Sequence, residues 1–188
     1  MSSFVSHYER KFHRKVEQFN KPGMLPDYFA SMIGDKESVR IAEVGAALVN
    51  TIGDSWPGTE VEIVCSDAYA DDFNALWEKN GMRPIHPIKY ADVHDLPYAA
   101  ESFDIVHCRN VLDHVEDPIR AIGEMKRVSS EWVYLAHAID QMDRFGGHHL
   151  WNCRYENGEC VFYGKEYSFV VDGETSFDGE LVIVKIRV

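Results

Sequence analysis

The chain has 188 residues, 45% of them hydrophobic and 27% charged, which is enough to bury one core without staples. A formal charge of −12 argues against nucleic acid and anionic membrane surfaces as partners, because both demand clustered Lys and Arg. No apolar run has the length of a bilayer span, residues 1–10 lack the apolar core of a signal peptide, and Cys65, Cys108, Cys153 and Cys160 are scattered. These features fit reduced thiols in a cytoplasmic protein.

Along residues 4–19, Val5, Tyr8, Phe12, Val16 and Phe19 recur every three or four positions, which predicts an amphipathic helix ended by Lys21-Pro22-Gly23. Pro26 opens a short second helix with Tyr28, Phe29, Met32 and Ile33 inward, stopped by Gly34. Lying before the first strand, both helices are placed to cap a ligand crevice. Residues 39–50 read as a buried strand, a tight loop at Gly45 and the start of a helix. Such a junction offers free backbone N–H groups to a nucleotide-like ligand. The turn formers of residues 53–58 require any helix there to be short.

Further strands are expected at 61–65, 85–90, 103–108 and 132–136. They alternate with helices over 71–80 (Phe73, Leu76 and Trp77 inward) and from Pro118 (Ile119, Ile122, Met125 and Val128 on one face). Asn157-Gly158 between alternating residues predicts a hairpin in which Glu156 faces Glu159 and Tyr155 faces Cys160. Trp151, Cys153, Tyr155, Cys160 and Phe162 then share its apolar face. Strands at 166–171 and 181–187 follow. The expectation is one α/β domain over 1–188: cap helices in 1–35, a doubly wound, mostly parallel sheet in 37–136, and an antiparallel C-terminal edge in 150–188.

The segment 90–118 carries Asp92, then Asp95-Leu96-Pro97, Ser102-Phe103-Asp104 and Asp113-His114-Val115-Glu116-Asp117-Pro118. With Glu43-Val44-Gly45 and Asp67 upstream, it resembles the class I methyltransferases that use S-adenosylmethionine, across about residues 37–136. The resemblance implies a seven-stranded-type sheet, S-adenosylmethionine as cofactor and S-adenosylhomocysteine as product. By the same resemblance, Asp67 takes the ribose hydroxyls and Asp92 the adenine amino group, with Ala68 and Val93 beside them. Glu43, Gly45 and Ala47 come near the methionine end, and Asn110 lines the cleft between cofactor and substrate. Asp104, Asp113 and His114 read as structural residues that support the family pattern, and Asp117 before Pro118 as a helix cap.

The family usually has Gly-x-Gly after its acidic residue; this chain has Gly45-Ala46-Ala47-Leu48-Val49, with a β-carbon at 47 and a branched side chain at 49. Methyl transfer from a sulfonium needs mainly proximity and orientation, with a base only where the acceptor must lose a proton. Candidate bases are His137, best placed just past the fifth strand, then His114, and His148 or His149. Residues 147–151 also resemble a His-x-Trp run of sugar-associated members. Adjacent histidines rarely converge on one ion, and His148, His149, Cys153 and Cys160 match no closed zinc pattern, so no metal is expected. The leading reading is methyl transfer to a small-molecule or sugar-like acceptor. The alternatives are an inactive methyltransferase-like scaffold and, further off, a nicotinamide-dependent dehydrogenase, whose loop needs its glycines more strictly.

Overall fold

A computed structural model describes residues 3–139 and 149–188, with the side chains of residues 3 and 4 left aside. The first helix, α1 (Ser3–Phe19), is followed by a 3-10 turn (Asp27–Phe29) that runs into α2 (Ala30–Ile33). Gly34, at φ 57° and ψ −132°, takes a positive-φ conformation open mainly to glycine and ends α2. Then come β1 (Ser38–Val44), β2 (Glu60–Asp67), α3 (Ala70–Lys79), β3 (Ile88–Tyr90), β4 (Phe103–Arg109), α4 (Pro118–Val128) and β5 (Ser129–Ala138). Five strands close the chain: β6 (Asn152–Glu156), β7 (Glu159–Tyr163), β8 (Ser168–Val171), β9 (Glu174–Phe177) and β10 (Leu181–Arg187).

Seven strands form one sheet in the order β3-β2-β1-β4-β5-β10-β9, with β1 to β5 parallel and β10 antiparallel to both its neighbours. This is the doubly wound sheet with an antiparallel edge that the alternation of elements implies. The hairpin lies elsewhere: β6, β7 and β8 make a separate three-stranded antiparallel sheet, and the edge is built from β10 and β9 instead. Within the hairpin the register is as expected, Glu156 opposite Glu159 and Tyr155 opposite Cys160, around Asn157 and Gly158 at φ 54° and 87°. The small sheet packs Trp151, Cys153, Cys160 and Phe162 on the main sheet and α4, burying Val106, Val133, Val182 and Met125. Tyr155 stays half exposed at the hairpin end and stacks on Phe177. Ile119 is exposed too, and Ala121 takes the buried place beside Met125 and Val128. Asp117 caps α4 by accepting the Arg120 N–H at 3.0 Å, with Pro118 in the first turn.

Between β1 and β2 there is no helix; residues 45–50 form consecutive turns. Asn50 accepts the N–H of Ile52 and donates to the carbonyl of Gly53, which steers the chain into the 53–58 turns instead. The layer that such a helix would fill is taken by α1. Its Val5, Phe12 and Val16 pack with Leu48, Val49 and the inward Phe73, Leu76 and Trp77 of α3. The Trp77 indole donates to the Leu48 carbonyl at 2.9 Å and ties the turn to α3. α2 does not reach the crevice; Phe29, Met32 and Ile33 pack with Val39, Ile41, Ile105 and Tyr134.

Candidate active site

Strand order reverses between β1 and β4, and at the carboxyl ends of the strands there a cleft of about 1190 Å³ opens. Glu43, Gly45, Ala47, Asp67, Ala68, Asp92, Val93, Asn110 and His114 all line it. So do Ser6, His7, Tyr8, Arg10, Lys15 and Phe19, which makes α1 one wall. Among the described residues expected to form the site, His137 is missing from the wall.

The loop after β1 is held by its own backbone. The N–H groups of Gly45 and Ala46 both donate to the Ser66 carbonyl, at 2.8 and 3.0 Å, so they do not point outward as free anion donors. Gly45 sits at φ 74°, and a β-carbon there would lie 2.1 Å from Cγ2 of Val111, so this position admits only glycine. Ala47 adopts φ 53°, in the left-handed region that favours glycine, in spite of its β-carbon. Its N–H donates to Asp67 Oδ2 at 2.9 Å, while Asp67 Oδ1 accepts the Tyr69 N–H at 2.8 Å. Burial pushes the Asp67 carboxyl above the usual range, opposed by these two bonds. Each oxygen keeps a further lone pair, so the carboxylate both fixes the loop and retains acceptor capacity at the cleft.

Glu43 lies deeper, 4% exposed. Its Oε1 accepts the N–H and hydroxyl of Thr51, at 3.3 and 3.0 Å, and Oε2 the Cys65 thiol at 3.5 Å. Desolvation outweighs these bonds and pushes its pKa up to about 7. Asp92 is exposed at the end of β3, and the backbone and ring of His94 hydrogen-bond its Oδ1 at 2.9 and 2.7 Å, holding its pKa low. Asn110, at φ 53°, spends its side-chain oxygen on the Ala138 N–H at 2.9 Å, clamping the end of β4 to β5.

His137 is buried, 2% exposed, with its ring edge-on to Phe162, and burial lowers its pKa to about 4. It faces Asp113 rather than the cleft, Nδ1 lying 3.7 Å from Oδ1, beyond hydrogen-bond reach. His114 does reach the cleft, together with Asp113 and His149. His149 Nδ1 lies 2.5 Å from Asp113 Oδ2, and His114 Nε2 lies 3.8 Å from the same oxygen. Burial alone would raise the Asp113 pKa, but the His149 bond and the neighbouring imidazoles outweigh it and leave it below the usual value. His148 lies outside the described residues. Cys153 and Cys160 are apart from this group, in the small sheet, their sulfurs 3.7 Å from each other.

Asp113 and His149 are 36 residues apart and belong to no local motif, so spacing gives no warning of their meeting. The resemblance of the 147–151 run to a His-x-Trp run names no partner for His149. Arg10, Lys15 and Arg109 are the second feature invisible in the linear sequence. They face one cleft in a chain of charge −12, and among the described residues none of them makes an ion pair.

A family model described as a methyltransferase domain matches residues 53–135. No curated protein matches the sequence. Among solved structures, a SAM-dependent methyltransferase from Aquifex aeolicus is similar over 97% of both chains, at 14% identity and a TM-score of 0.51. YcgJ from Bacillus subtilis is similar over 60% of this chain and 49% of its own (18% identity, TM-score 0.43). An S-adenosylmethionine-dependent methyltransferase from Mesorhizobium loti is similar over 60% and 52% (18% identity, TM-score 0.42). This chain thus spans about half the length of the Bacillus and Mesorhizobium proteins. Residues 53–135 thus match a methyltransferase domain and the Aquifex structure shares the fold of the whole chain, so the comparisons show a methyltransferase-like α/β fold, with Gly45 the one glycine of residues 45–49.

Proposed function

We propose that the cleft binds S-adenosylmethionine and transfers its methyl group to a small-molecule acceptor. The observation that carries this reading is the convergence of Asp67 from the end of β2, Asp92 from the end of β3 and the Gly45 loop on one cleft at the point where strand order reverses. In it, Asp67 accepts the ribose hydroxyls through the lone pairs that Ala47 and Tyr69 leave over, and Asp92 accepts from the adenine amino group, with Val93 and Ala68 as apolar wall. Glu43 supplies negative charge near the cationic methionine end. Asn110 holds the rim at β4, so its role is to position. The acceptor enters between α1 and the Asp113, His114 and His149 cluster, and α1 closes the cleft against water. The donor is already activated, so alignment of acceptor and sulfonium by these walls supplies most of the rate.

Arg10, Lys15 and Arg109 favour an acceptor that carries a negative group over an uncharged sugar. The four buried thiols favour a reducing compartment such as the cytoplasm. Among the described residues no helix is long and apolar enough to cross a membrane.

Calorimetric titration with S-adenosylhomocysteine tests the reading. One site is expected, and Asp92→Ala, at an exposed position that leaves the fold intact, should weaken it by about tenfold or more, the worth of one charge-assisted hydrogen bond. No heat at millimolar ligand, or equal affinity in both proteins, would overturn it.

A further inference from the structure

Asp113, His114 and His149 each bring one ligating atom to within 4.8 Å of the others. The rings of His114 and His149 lie 4.4 Å apart, centre to centre, tilted by 44°, each with a nitrogen toward Oδ2 of Asp113. That carboxylate is almost wholly buried, and its Oδ1 has no hydrogen-bond partner among the described residues. A buried carboxylate oxygen without a hydrogen-bond donor is costly to desolvate, so a cation beside it is favoured.

The spacing suits one ion. Nitrogen and oxygen ligands sit about 2.0–2.2 Å from a first-row divalent metal, so two ligands at right angles are roughly 3 Å apart. The distances from Asp113 Oδ2 to His149 Nδ1 and His114 Nε2 are 2.5 and 3.8 Å, one on either side of that figure. Movements of under about 1 Å by two side chains would seat the ion, with the His149 ring giving up the proton it shares with Asp113.

The main chain holds the pieces independently of those side chains. The Asp113 carbonyl accepts the N–H groups of Leu150 and Trp151, at 2.7 and 3.2 Å, and the Trp151 indole donates to the Val115 carbonyl at 2.9 Å. His137, packed on Phe162, stands 3.7 Å from the other oxygen of Asp113 and closes the group on its inner side. All three ligating residues also line the cleft, so the set is closed on the protein side and open toward the acceptor.

We propose that Asp113, His114 and His149 bind one divalent transition-metal ion, held open toward the cleft so that it takes an oxygen of the acceptor. Two imidazoles and one carboxylate suit Fe²⁺, Mn²⁺, Co²⁺ or Zn²⁺ rather than Mg²⁺ or Ca²⁺, which prefer all-oxygen sites. Ligand exchange at the ion's free positions would bind a hydroxyl or carboxylate oxygen and orient it toward the methyl donor, with no redox step.

Cobalt(II) titration of the chelator-treated full chain, followed by visible absorption and by metal content after gel filtration, tests this without any turnover. The expected result is one ion per chain, with d–d bands of nitrogen and oxygen ligation. His149→Gln and His114→Gln should each weaken binding by about tenfold or more, and His86→Gln, distant from the cluster, should leave it unchanged. If Asp113→Asn fails to fold, the two histidine variants still decide the matter. Binding that is unsaturable, equal in all variants, or marked by a thiolate charge-transfer band from Cys153 and Cys160 would overturn it. A chain that binds S-adenosylhomocysteine but no cobalt would refute the metal alone and leave the cofactor reading standing.

Discussion

Glu43 is the buried acid whose replacement tests most of the loop architecture at once. Its pKa rises from 4.5 to about 7 because desolvation exceeds the help it receives from Thr51 and Cys65. A carboxyl whose folded pKa lies above its unfolded value stabilises the fold fully below the unfolded value. That contribution is lost as pH rises through the folded pKa, here between 4.5 and about 7. At about 1.4 kcal/mol per pH unit the loss is on the order of 3 kcal/mol. Glu43→Gln keeps both Thr51 bonds on one carbonyl oxygen and turns its amide N–H toward the Cys65 sulfur, a weak acceptor, so no partner is lost. The variant should therefore match the parent near the acid end and exceed it by roughly 2–3 kcal/mol at about pH 8. That is about 4–12 °C in Tm for a domain of this size. Urea unfolding across the range gives the difference directly. Ligand binding supplies a second readout: a cationic ligand favours the carboxylate, so the parent's affinity for S-adenosylmethionine should rise with pH through about 7 and the variant's should stay flat. Identical pH slopes in the two proteins would refute the burial argument for Glu43.

Three further substitutions address the loop. Gly45→Ala places a β-carbon 2.1 Å from Val111 Cγ2 at φ 74°, which should cost about 1–2 kcal/mol of backbone strain and about 1–3 of overpacking. Adding Val111→Ala should recover the packing part only, seen as non-additive melting in a double-mutant cycle; an unshifted Tm in the single variant would contradict the geometry. Ala47→Gly relieves about 1–2 kcal/mol of left-handed strain, against about 0.8 for the lost methyl and about 0.4–1 of unfolded-chain entropy. Stability should stay within about 1 kcal/mol and S-adenosylhomocysteine should bind no more weakly, whereas a fall of several kcal/mol would mean that the methyl is a packing anchor. Asp67→Asn can satisfy only one of the two N–H groups of Ala47 and Tyr69, so it should cost about 1–3 kcal/mol in thermal unfolding and weaken S-adenosylhomocysteine about tenfold. Wild-type stability in that variant would show that the carboxylate does not hold the loop.

The departure from the family's glycine pattern reads differently once its backbone is known. Ala47 occupies the same left-handed conformation a glycine would take, and Leu48 and Val49 are spent on packing against α1 and α3. The loop is therefore not a damaged version of a helix N-terminus. It is a turn whose N–H groups are bound to β2, so the proposed cofactor reading rests on side chains: Glu43, Asp67 and Asp92.

Elements with local causes were legible from the residues alone. Apolar spacing gave α1 and α3, Asp117-Pro118 marked the start of α4, and Asn157-Gly158 set the hairpin and its register, because each depends on neighbours three or four positions away. Carboxylates at the ends of β2 and β3 were legible for the same reason: a strand end is a local feature, and in a parallel sheet the strand ends share one side. What tertiary structure alone decided was where these pieces meet. It set the three-stranded sheet apart from the seven-stranded one, gave α1 the layer where a helix after β1 was expected, and removed His137 from the cleft while bringing His149 to Asp113 across 36 residues. Such pairings depend on packing between distant segments, and side-chain spacing along the chain carries no record of them.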